Sequence, residues 1–428
     1  MLTKSFFGSP KPAFSYELLS TGLPQPLEVT VPETVTLLLP SETGAQTSDS
    51  LKIGAKVKTG QKLCRDETSG PCAVASVTGT ITSIAPYMGD YGRKYTAVGI
   101  TAEGADTWDE TFAVVGAEPD LQTLAACFSG APGAPDLSKL MNARKPIHTI
   151  LIYGGDTDLL VETSLYVLKS RIADIDAGIK ALKAASGVEK VILAVPGESL
   201  QNVDGHFHAD PVNVPGEYPS AQPLMLYYKL FGQVLEQGQT FEDAGVLFLR
   251  AEALASIGRA LATGRIPVNK IVTVLDKQRQ KHLISARIGT PLGHILKKLN
   301  ITTKEKDRII FGGPMTGTAV YSEDQAVQAD TDAIMVQDAG DIVLTSDYPC
   351  INCGDCIPVC PARIQVSMLV RFLEAGQYQD AADLYDLYSC VECGLCSFVC
   401  TSRIPILQYI KLAKFELARL MPAEEENE

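Results

Sequence analysis

The chain has 428 residues, 46% of them hydrophobic, which is more than one ordinary domain and enough apolar material for several packed cores. With 37 Lys and Arg against 50 Asp and Glu the formal net charge is −13, so a basic, phosphate-binding face is not expected and nucleic acid drops out as a partner. No stretch of about eighteen residues escapes a charge or a breaker, and nothing apolar enough for a leader precedes Gly8 and Pro10, so the reading is a cytoplasmic chain that can still sit on a membrane partner.

In chain order, residues 1–118 read as a small β unit. Val35 to Pro40, Ile53 to Leu63 and Val77 to Ile84 are rich in Val, Ile and Thr and punctuated by glycines, which predicts short strands in a barrel or sandwich. The phrase Gly54-x-x-Val57-x-x-Gly60-Gln61 resembles the barrel-sandwich fold of lipoyl and biotinyl carriers, but no lysine stands between methionines, so a structural platform is expected, not a swinging arm. Cys64 and Cys72 in this unit are read as small buried side chains.

From 119 to 238 the pattern changes. His148 to Tyr153 predicts a buried strand, Asp158 to Ala184 one or two helices, Val188 to Val195 a strand and Ala221 to Glu236 a helix, an order that argues a parallel, Rossmann-like α/β layer. Residues 239–338 follow with a strand at Ala244 to Leu249, a helix at Ala251 to Thr263, strands beginning at Lys270 and His282, and a helix at Leu292 to Leu299, which fits a β-grasp module. The fold class is therefore multidomain α/β plus β, closed by an α-helical ferredoxin-like domain over 339–428.

That last domain holds eight of the eleven cysteines. Cys350, Cys353, Cys356 and Cys360 are spaced C-x2-C-x2-C-x3-C, and Cys390, Cys393, Cys396 and Cys400 repeat the spacing forty residues later. Two intervening residues let three thiolates wrap three corners of a cubane, with Gly354 and Gly394 letting the backbone turn close to the sulfides. In two-cluster ferredoxins the fourth cysteine serves the other cluster, which assigns Cys350, Cys353, Cys356 and Cys400 to one [4Fe–4S] centre and Cys390, Cys393, Cys396 and Cys360 to the second; an uncrossed pairing is the alternative. Zinc ribbons use two separated pairs, so this spacing favours iron. Thr401 replaces the proline that follows the first run as Pro361, with no consequence for the ligands. Helices are expected at Val366 to Glu374, Asp380 to Tyr388 and Ile404 to Leu420, before an acidic tail over 423–428.

Taken together, this order of units resembles the RnfC family, the C component of the Rnf complexes, which are membrane-bound ferredoxin:NAD⁺ oxidoreductases that pump ions. The likeness covers nearly the whole chain and is carried by Tyr218-Pro-Ser, Arg265-Ile-Pro, Val272-Thr-Val, Arg287-Ile-Gly-Thr-Pro-Leu, Gly312-Gly-Pro-Met-Thr-Gly and Cys393 to Cys400 running into Pro405-Ile-Leu-Gln-Tyr-Ile-Lys-Leu-Ala-Lys. The A component of the Na⁺-pumping NADH:quinone reductases and the cobalamin reductases are similar but lack, respectively, the cluster motif and the leading barrel. The resemblance implies a β-grasp module of the SLBB type, two [4Fe–4S] clusters, and an FMN held by Gly130, Gly133, Lys139, Asp156 and Asp158 in a layer like the flavin subunit of respiratory complex I. The family's glycine-rich phosphate loop, however, stands here as Phe128-Ser-Gly-Ala-Pro-Gly-Ala-Pro-Asp-Leu-Ser-Lys, with Pro132 offering no N–H. A G-x-E-C-E-P phrase has become Gly154-Gly-Asp-Thr-Asp-Leu, and Y-P-x-G-x-E has become Tyr218-Pro-Ser-Ala-Gln-Pro. Three departures in one pocket argue against a bound flavin.

Weaker candidates are Asp204, His206, His208 and Asp210 as a divalent-ion site, and His148, His282 and His294, read as packing residues. Gly312 to Gly317 lacks the lysine of a phosphate loop and is expected to be a turn beside the cluster domain. The expected function is that of a peripheral electron-transfer subunit on the inner face of the membrane, relaying electrons between a ferredoxin, flavoprotein or cytochrome and membrane-embedded Rnf-type flavin subunits. No catalytic residue is assigned. The alternatives are an FMN-containing NADH-oxidising or NAD-reducing subunit, and a non-redox assembly scaffold.

Overall fold

Alternation builds the front unit: Val35, Leu37 and Leu39 point into its core while the residues between them stay half-exposed. The computed structural model describes residues 12–420 apart from 17–18, 20–22, 41–50, 65–71, 113–118, 198–207 and 347. The strands of this part are β1 (Leu27–Glu28), β2 (Thr34–Pro40), β3 (Lys56–Val57), β4 (Lys62–Leu63), β5 (Ala73–Val74), β6 (Gly79–Met88) and β7 (Lys94–Ala102). They form an antiparallel sheet in the order β2-β7-β6-β3 over a core of Val57, Leu63, Ile81, Val98 and Ile100, with β4 and β5 as a separate pair. The β6–β7 ladder runs on to Met88 and Lys94 as a projecting arm. Pairing of Lys62 with Val74 and Leu63 with Ala73 places Cys64 opposite Cys72, and the two form a disulfide with Cα atoms 4.4 Å apart. This corrects their reading as separate buried side chains, because strand register, invisible in an eight-residue spacing, brings them together.

The α/β part comprises α1 (Leu121–Phe128), β8 (Thr149–Tyr153), α2 (Thr163–Ser170), α3 (Ile172–Ser186), β9 (Lys190–Pro196), β10 (Asp210–Val214), α4 (Pro223–Phe231), β11 (Val246–Arg250) and α5 (Ala251–Thr263). Asp120 caps α1, accepting from the Thr123 N–H at 2.8 Å. All five residues of β8 are buried, as befits a parallel strand covered on both faces. The sheet order is β10-β9-β8-β11, every pair parallel. The chain steps outward from β8 to β10, then crosses back, so a crevice opens beyond the carboxyl ends of β8 and β11, where the direction of winding reverses. Glycines let α3 and α5 touch: a Cβ at Gly178 would overlap the Leu254 carbonyl, and one at Gly258 the Asp174 carbonyl.

Two boundaries differ from expectation. The strand after residue 238 does not open the next unit; β11 pairs with β8 from Val246↔Thr149 to Arg250↔Tyr153, and α5 packs on α3, so the α/β layer runs to the end of α5. The helix expected to reach Glu236 stops at Phe231, where Gly232 adopts φ +69°.

Next come β12 (Asn269–Leu275), β13 (Lys281–Arg287), α6 (Leu292–Lys298), β14 (Arg308–Phe311), β15 (Thr318–Val320) and β16 (Ala333–Gln337). Their sheet has the order β1-β13-β12-β16-β14-β15, with β12 antiparallel to β13 and parallel to β16. Helix α6 closes its core through Leu292, Ile295 and Leu296 against Val272, Val274 and Ile284. Strand β1, from the front unit, pairs with β13 and ties the two parts together.

The C-terminal part is helical: α7 (Cys356–Val359), α8 (Val366–Glu374), α9 (Tyr378–Tyr385), α10 (Leu395–Val399) and α11 (Ile406–Leu420). The duplication seen in sequence is also conformational. Asn352 and Glu392 have φ 58° and 57°, Gly354 and Gly394 81° and 73°, and Arg363 and Arg403 57° and 56°. Among the described residues no helix is long and apolar enough to cross a membrane.

Candidate metal centre

In each run the first cysteines lie on a loop that turns through a left-handed residue, and the fourth caps the carboxyl end of a short helix, Cys360 after α7 and Cys400 after α10. The fold crosses these ends. Cys350, Cys353, Cys356 and Cys400 line one small cavity closed by Val370, Ile404 and Ile406. Cys360 instead lies in electrostatic contact with Cys390, Cys393 and Cys396. Backbone amides approach two sulfurs, Glu392 N–H to Cys390 Sγ and Ile404 N–H to Cys400 Sγ, both at 3.4 Å.

The chemistry of these donors fits an iron–sulfur cluster. Burial pushes the thiols of Cys356 and Cys390 up to about 11 and that of Cys393 to about 12, with neighbouring cysteines adding to the rise. Crowded, buried thiols of this kind ionise only beside a cationic partner. Among the described residues no three His, Cys, Asp or Glu side chains close on a single-ion site. A cubane asks for a wider ring of sulfurs than the ~2.3 Å Zn–S shell of one zinc ion.

The two groups sit in unlike surroundings. Around the second, Val391, Cys393 and Leu395 are buried against Tyr16, Tyr218 and Tyr227 of the α/β side. The Tyr218 hydroxyl donates to the Cys393 carbonyl at 2.5 Å, and the Met315 carbonyl lies against Gly394 so closely that a Cβ there would overlap it. Lys411 donates to the Thr316 carbonyl at 3.0 Å; Lys414 donates to the Cys390 carbonyl at 2.9 Å and to Glu392 at 2.8 Å. Around the first group, Cys353 and Ile351 are exposed.

The crevice beyond β8 and β11 is a cavity of about 410 Å³, lined by Asp156, Thr157, Asp158 and Arg250, the turn from Gly312 to Thr318, and the arm residues Arg93 and Tyr95. Asp156 caps α2, accepting from the Ser164 and Leu165 N–H groups at 2.8 and 3.1 Å; burial nevertheless pushes its carboxyl up to about 6. Asp158 accepts from the N–H groups of Leu159 (2.7 Å), Met315 (3.2 Å) and Thr316 (2.8 Å) and from the Thr316 hydroxyl (2.6 Å). It thereby fastens the 312–317 turn that presses on Gly394. Beneath the cavity Lys270, fully buried, joins Glu252 and, at 2.9 Å, Asp332, which also takes Arg250 at 2.6 Å. Burial works against the Lys270 ammonium, but Asp332 and Glu252 outweigh it and hold the lysine charged.

The residues present do not fit a flavin phosphate. Asp156 and Asp158 line the cavity, but Gly130, Gly133 and Lys139 do not. A Cβ at Gly130 would meet Ala73 and Val74 of the β4–β5 pair at 2.8 Å, and one at Gly133, which has φ +90°, would meet Ala253 N at 2.5 Å, so these glycines serve close packing inside the protein. The amides that would cradle a phosphate are used internally: Gly133 N–H donates to the Ala329 carbonyl, Ala131 to Phe128 and Ala134 to Ala131. Lys139 pairs with Glu242 at 2.6 Å.

Of the other candidates, Asp204 and His206 lie outside the described residues, while His208 Nδ1 lies 2.9 Å from Asp176. Two histidines read as packing residues carry polar contacts instead: His282 Nε2 lies 2.9 Å from Asp276 and His294 Nε2 2.9 Å from the Thr30 carbonyl. Tyr16, Tyr218, Lys411 and Lys414 were missed as neighbours of the second cysteine group; Tyr218, the two lysines and the 312–317 turn stood in recognisable phrases, Tyr16 in none.

Comparison with known proteins adds to this geometry. A family model described as a 4Fe-4S dicluster domain matches residues 349–404. The C component of the ion-translocating oxidoreductase complex of Klebsiella pneumoniae (strain 342) is 27% identical over 420 residues, covering 93% of this chain and 55% of that protein. The same component from Yersinia enterocolitica (serotype O:8 / biotype 1B) is 26% identical over 94% of this chain and 60% of its own length, and that of Pseudomonas aeruginosa (PAO1) 28% over 90% and 53%. The chain thus spans between half and three-fifths of the length of these relatives. Among solved structures, an NAD⁺-reducing [NiFe]-hydrogenase in the H2-reduced state aligns with TM-score 0.46 and 15% identity over 74% of this chain and 66% of that one. The chain is accordingly similar, along nine-tenths of its length, to the C component of the ion-translocating oxidoreductase complexes, the family that its own cysteine runs and phrases resemble.

Proposed function

We propose that this chain is a peripheral electron-relay subunit of an Rnf-type membrane redox complex, docked at the inner face of the membrane. Cys350, Cys353, Cys356 and Cys400 would hold one [4Fe–4S] cluster, and Cys390, Cys393, Cys396 and Cys360 the other. The observation that carries this reading is the grouping of eight cysteines into two fours, one packed against the α/β layer through Cys393 and its neighbours and one exposing Cys353 at the surface. When bound, such clusters accept and release single electrons. The chain's own residues supply the rest. Tyr218 and Met315 cover the Cys393–Gly394 side of the second group; Lys414 sets a positive charge beside Cys390; and the 390–394 loop is fixed by the Tyr218 hydrogen bond. The parts ahead of the clusters are read as a barrel-sandwich platform, a Rossmann-like layer and a β-grasp module that hold this wire in place. The partners would be membrane-embedded flavin subunits on one side and a ferredoxin, flavoprotein or cytochrome on the other. No flavin is included, because the loop that would hold its phosphate is packed shut.

Anaerobic purification with iron, sulfide, zinc and flavin analysis tests the reading. About eight irons and eight sulfides per chain are expected, with two interacting EPR signals on reduction by dithionite and no bleaching of the cluster absorbance by NADH. Stoichiometric zinc in place of iron overturns the relay; stoichiometric FMN with rapid bleaching by NADH restores a nicotinamide-oxidising role.

A further inference from the structure

The internal repeat supplies a comparison that a single motif cannot. Position by position, Ile351 matches Val391, Cys353 matches Cys393 and Gly354 matches Gly394, with nearly equal backbone angles at the glycines. In the second run this face is covered. Val391 and Cys393 are 9% and 7% exposed, and Gly394 lies under the Met315 carbonyl. In the first run the same face is bare: Ile351 is 63% exposed, Cys353 is exposed, and a Cβ at Gly354 would meet nothing within 4 Å. Tyr348 and Leu344, 77% and 69% exposed, continue this apolar surface beside Ser402 and Arg403.

We propose that this face is the seat of a second, permanently bound electron-carrying subunit, which covers Ile351, Cys353 and Gly354 as the α/β layer covers their counterparts. The proposal rests on the relay reading and deepens it by naming the exit. Charge selects the kind of occupant. From Tyr348 to Gly354 no side chain carries a charge, and among the described residues around the hollow that Leu344, Tyr348 and Ile351 share with Ser402 the exposed Arg403 is the single one, so the complementary surface is mainly apolar or aromatic, like the Tyr16 and Tyr218 surface over the second run. A soluble carrier that docks transiently is steered by a field of many opposite charges, and this face, on a chain of net charge −13, offers an acidic one only Arg403. A face so sparsely charged matches a stable contact between subunits instead.

The test uses holoprotein bearing Leu344→Glu and Tyr348→Glu, neither a cluster ligand, with membranes of the source organism from which the native chain has been washed. Sedimentation should show that wild-type protein rebinds these membranes in both low and high salt, and that each variant rebinds at least tenfold more weakly. Photo-crosslinking from position 348 should capture an integral membrane subunit. Iron, sulfide and the reduced EPR spectrum should be the same in all three proteins; absent clusters in wild type would sink the relay reading itself, independently of binding. The docking proposal is overturned if the variants rebind like wild type, if high salt alone releases wild type, or if the crosslink reaches a soluble carrier. It is overturned as well if wild type forms dimers without membranes and the variants do not, since a second copy would then cover the face.

Discussion

Asp158→Asn isolates the fastening between the α/β layer and the cluster domain. One carboxylate oxygen of Asp158 receives the Leu159 and Met315 N–H groups, the other the N–H and hydroxyl of Thr316. Asparagine keeps one oxygen and turns an NH2 toward the other pair of donors. The Thr316 hydroxyl can rotate to accept, but its N–H cannot, so a charge-assisted bond is lost and a backbone donor is left without an acceptor in a site only 5% exposed. At about 1.5–3 kcal/mol for a bond to a charged group, with a further 1–3 for an unsatisfied buried donor, the expected loss is about 2–4 kcal/mol after partial relaxation. Anaerobic urea unfolding of the holoprotein measures it. Because the released turn is the one lying against Gly394, chelator should also strip iron from the second centre faster while the first is little changed. A variant within about 0.5 kcal/mol of wild type, with equal iron loss from both centres, would refute the claim that Asp158 is the fastening.

Cys360→Ser, although it lies in the first run, should damage the centre of Cys390, Cys393 and Cys396, and Cys400→Ser the centre of the first run; EPR of each variant decides, and damage confined to the mutated run would establish uncrossed ligation. The Asp156 carboxyl sits above its ordinary value, so the folded state holds its proton more tightly than the unfolded state does: its contribution is fully present below about pH 3.8 and lost as pH rises through about 6. Stability should therefore fall by about 1 kcal/mol from this group between pH 5 and 7, and Asp156→Asn should flatten that part of the curve in denaturant titrations.

The cysteine spacing was readable because thiolate ligands on one loop leave a periodic imprint on sequence, and forty residues of offset preserved it in both halves. The buried run at Thr149 to Tyr153 and the helix at Val366 to Glu374 were equally plain, since burial on one or both faces dictates residue type position by position. Relations between distant segments left no such imprint. Nothing in the local pattern of Val246 to Arg250 says that it pairs with β8 instead of opening a new unit. The Cys64–Cys72 disulfide depends on register across a hairpin, and the tyrosine cover on Cys393 on side chains roughly 175 and 380 positions away. Loss of the flavin loop was legible at Pro132, but the sequence could not tell that the space had been taken by Ala329 and by the start of α5.

The exchange of fourth cysteines between the runs bears on how the protein is made. Three members of the surface group, Cys350, Cys353 and Cys356, emerge from the ribosome early and must wait for Cys400. The buried group waits for the opposite reason, since Cys360 is available first and Cys390, Cys393 and Cys396 arrive last. Neither set of four is complete until the chain has been synthesised past Cys396, by which time the α/β layer that roofs one of them can already have folded. With the ligation proposed above, iron delivery to this protein would be a late event, completed at both sites within four residues of synthesis, and a chain cut short before that point would carry neither site intact.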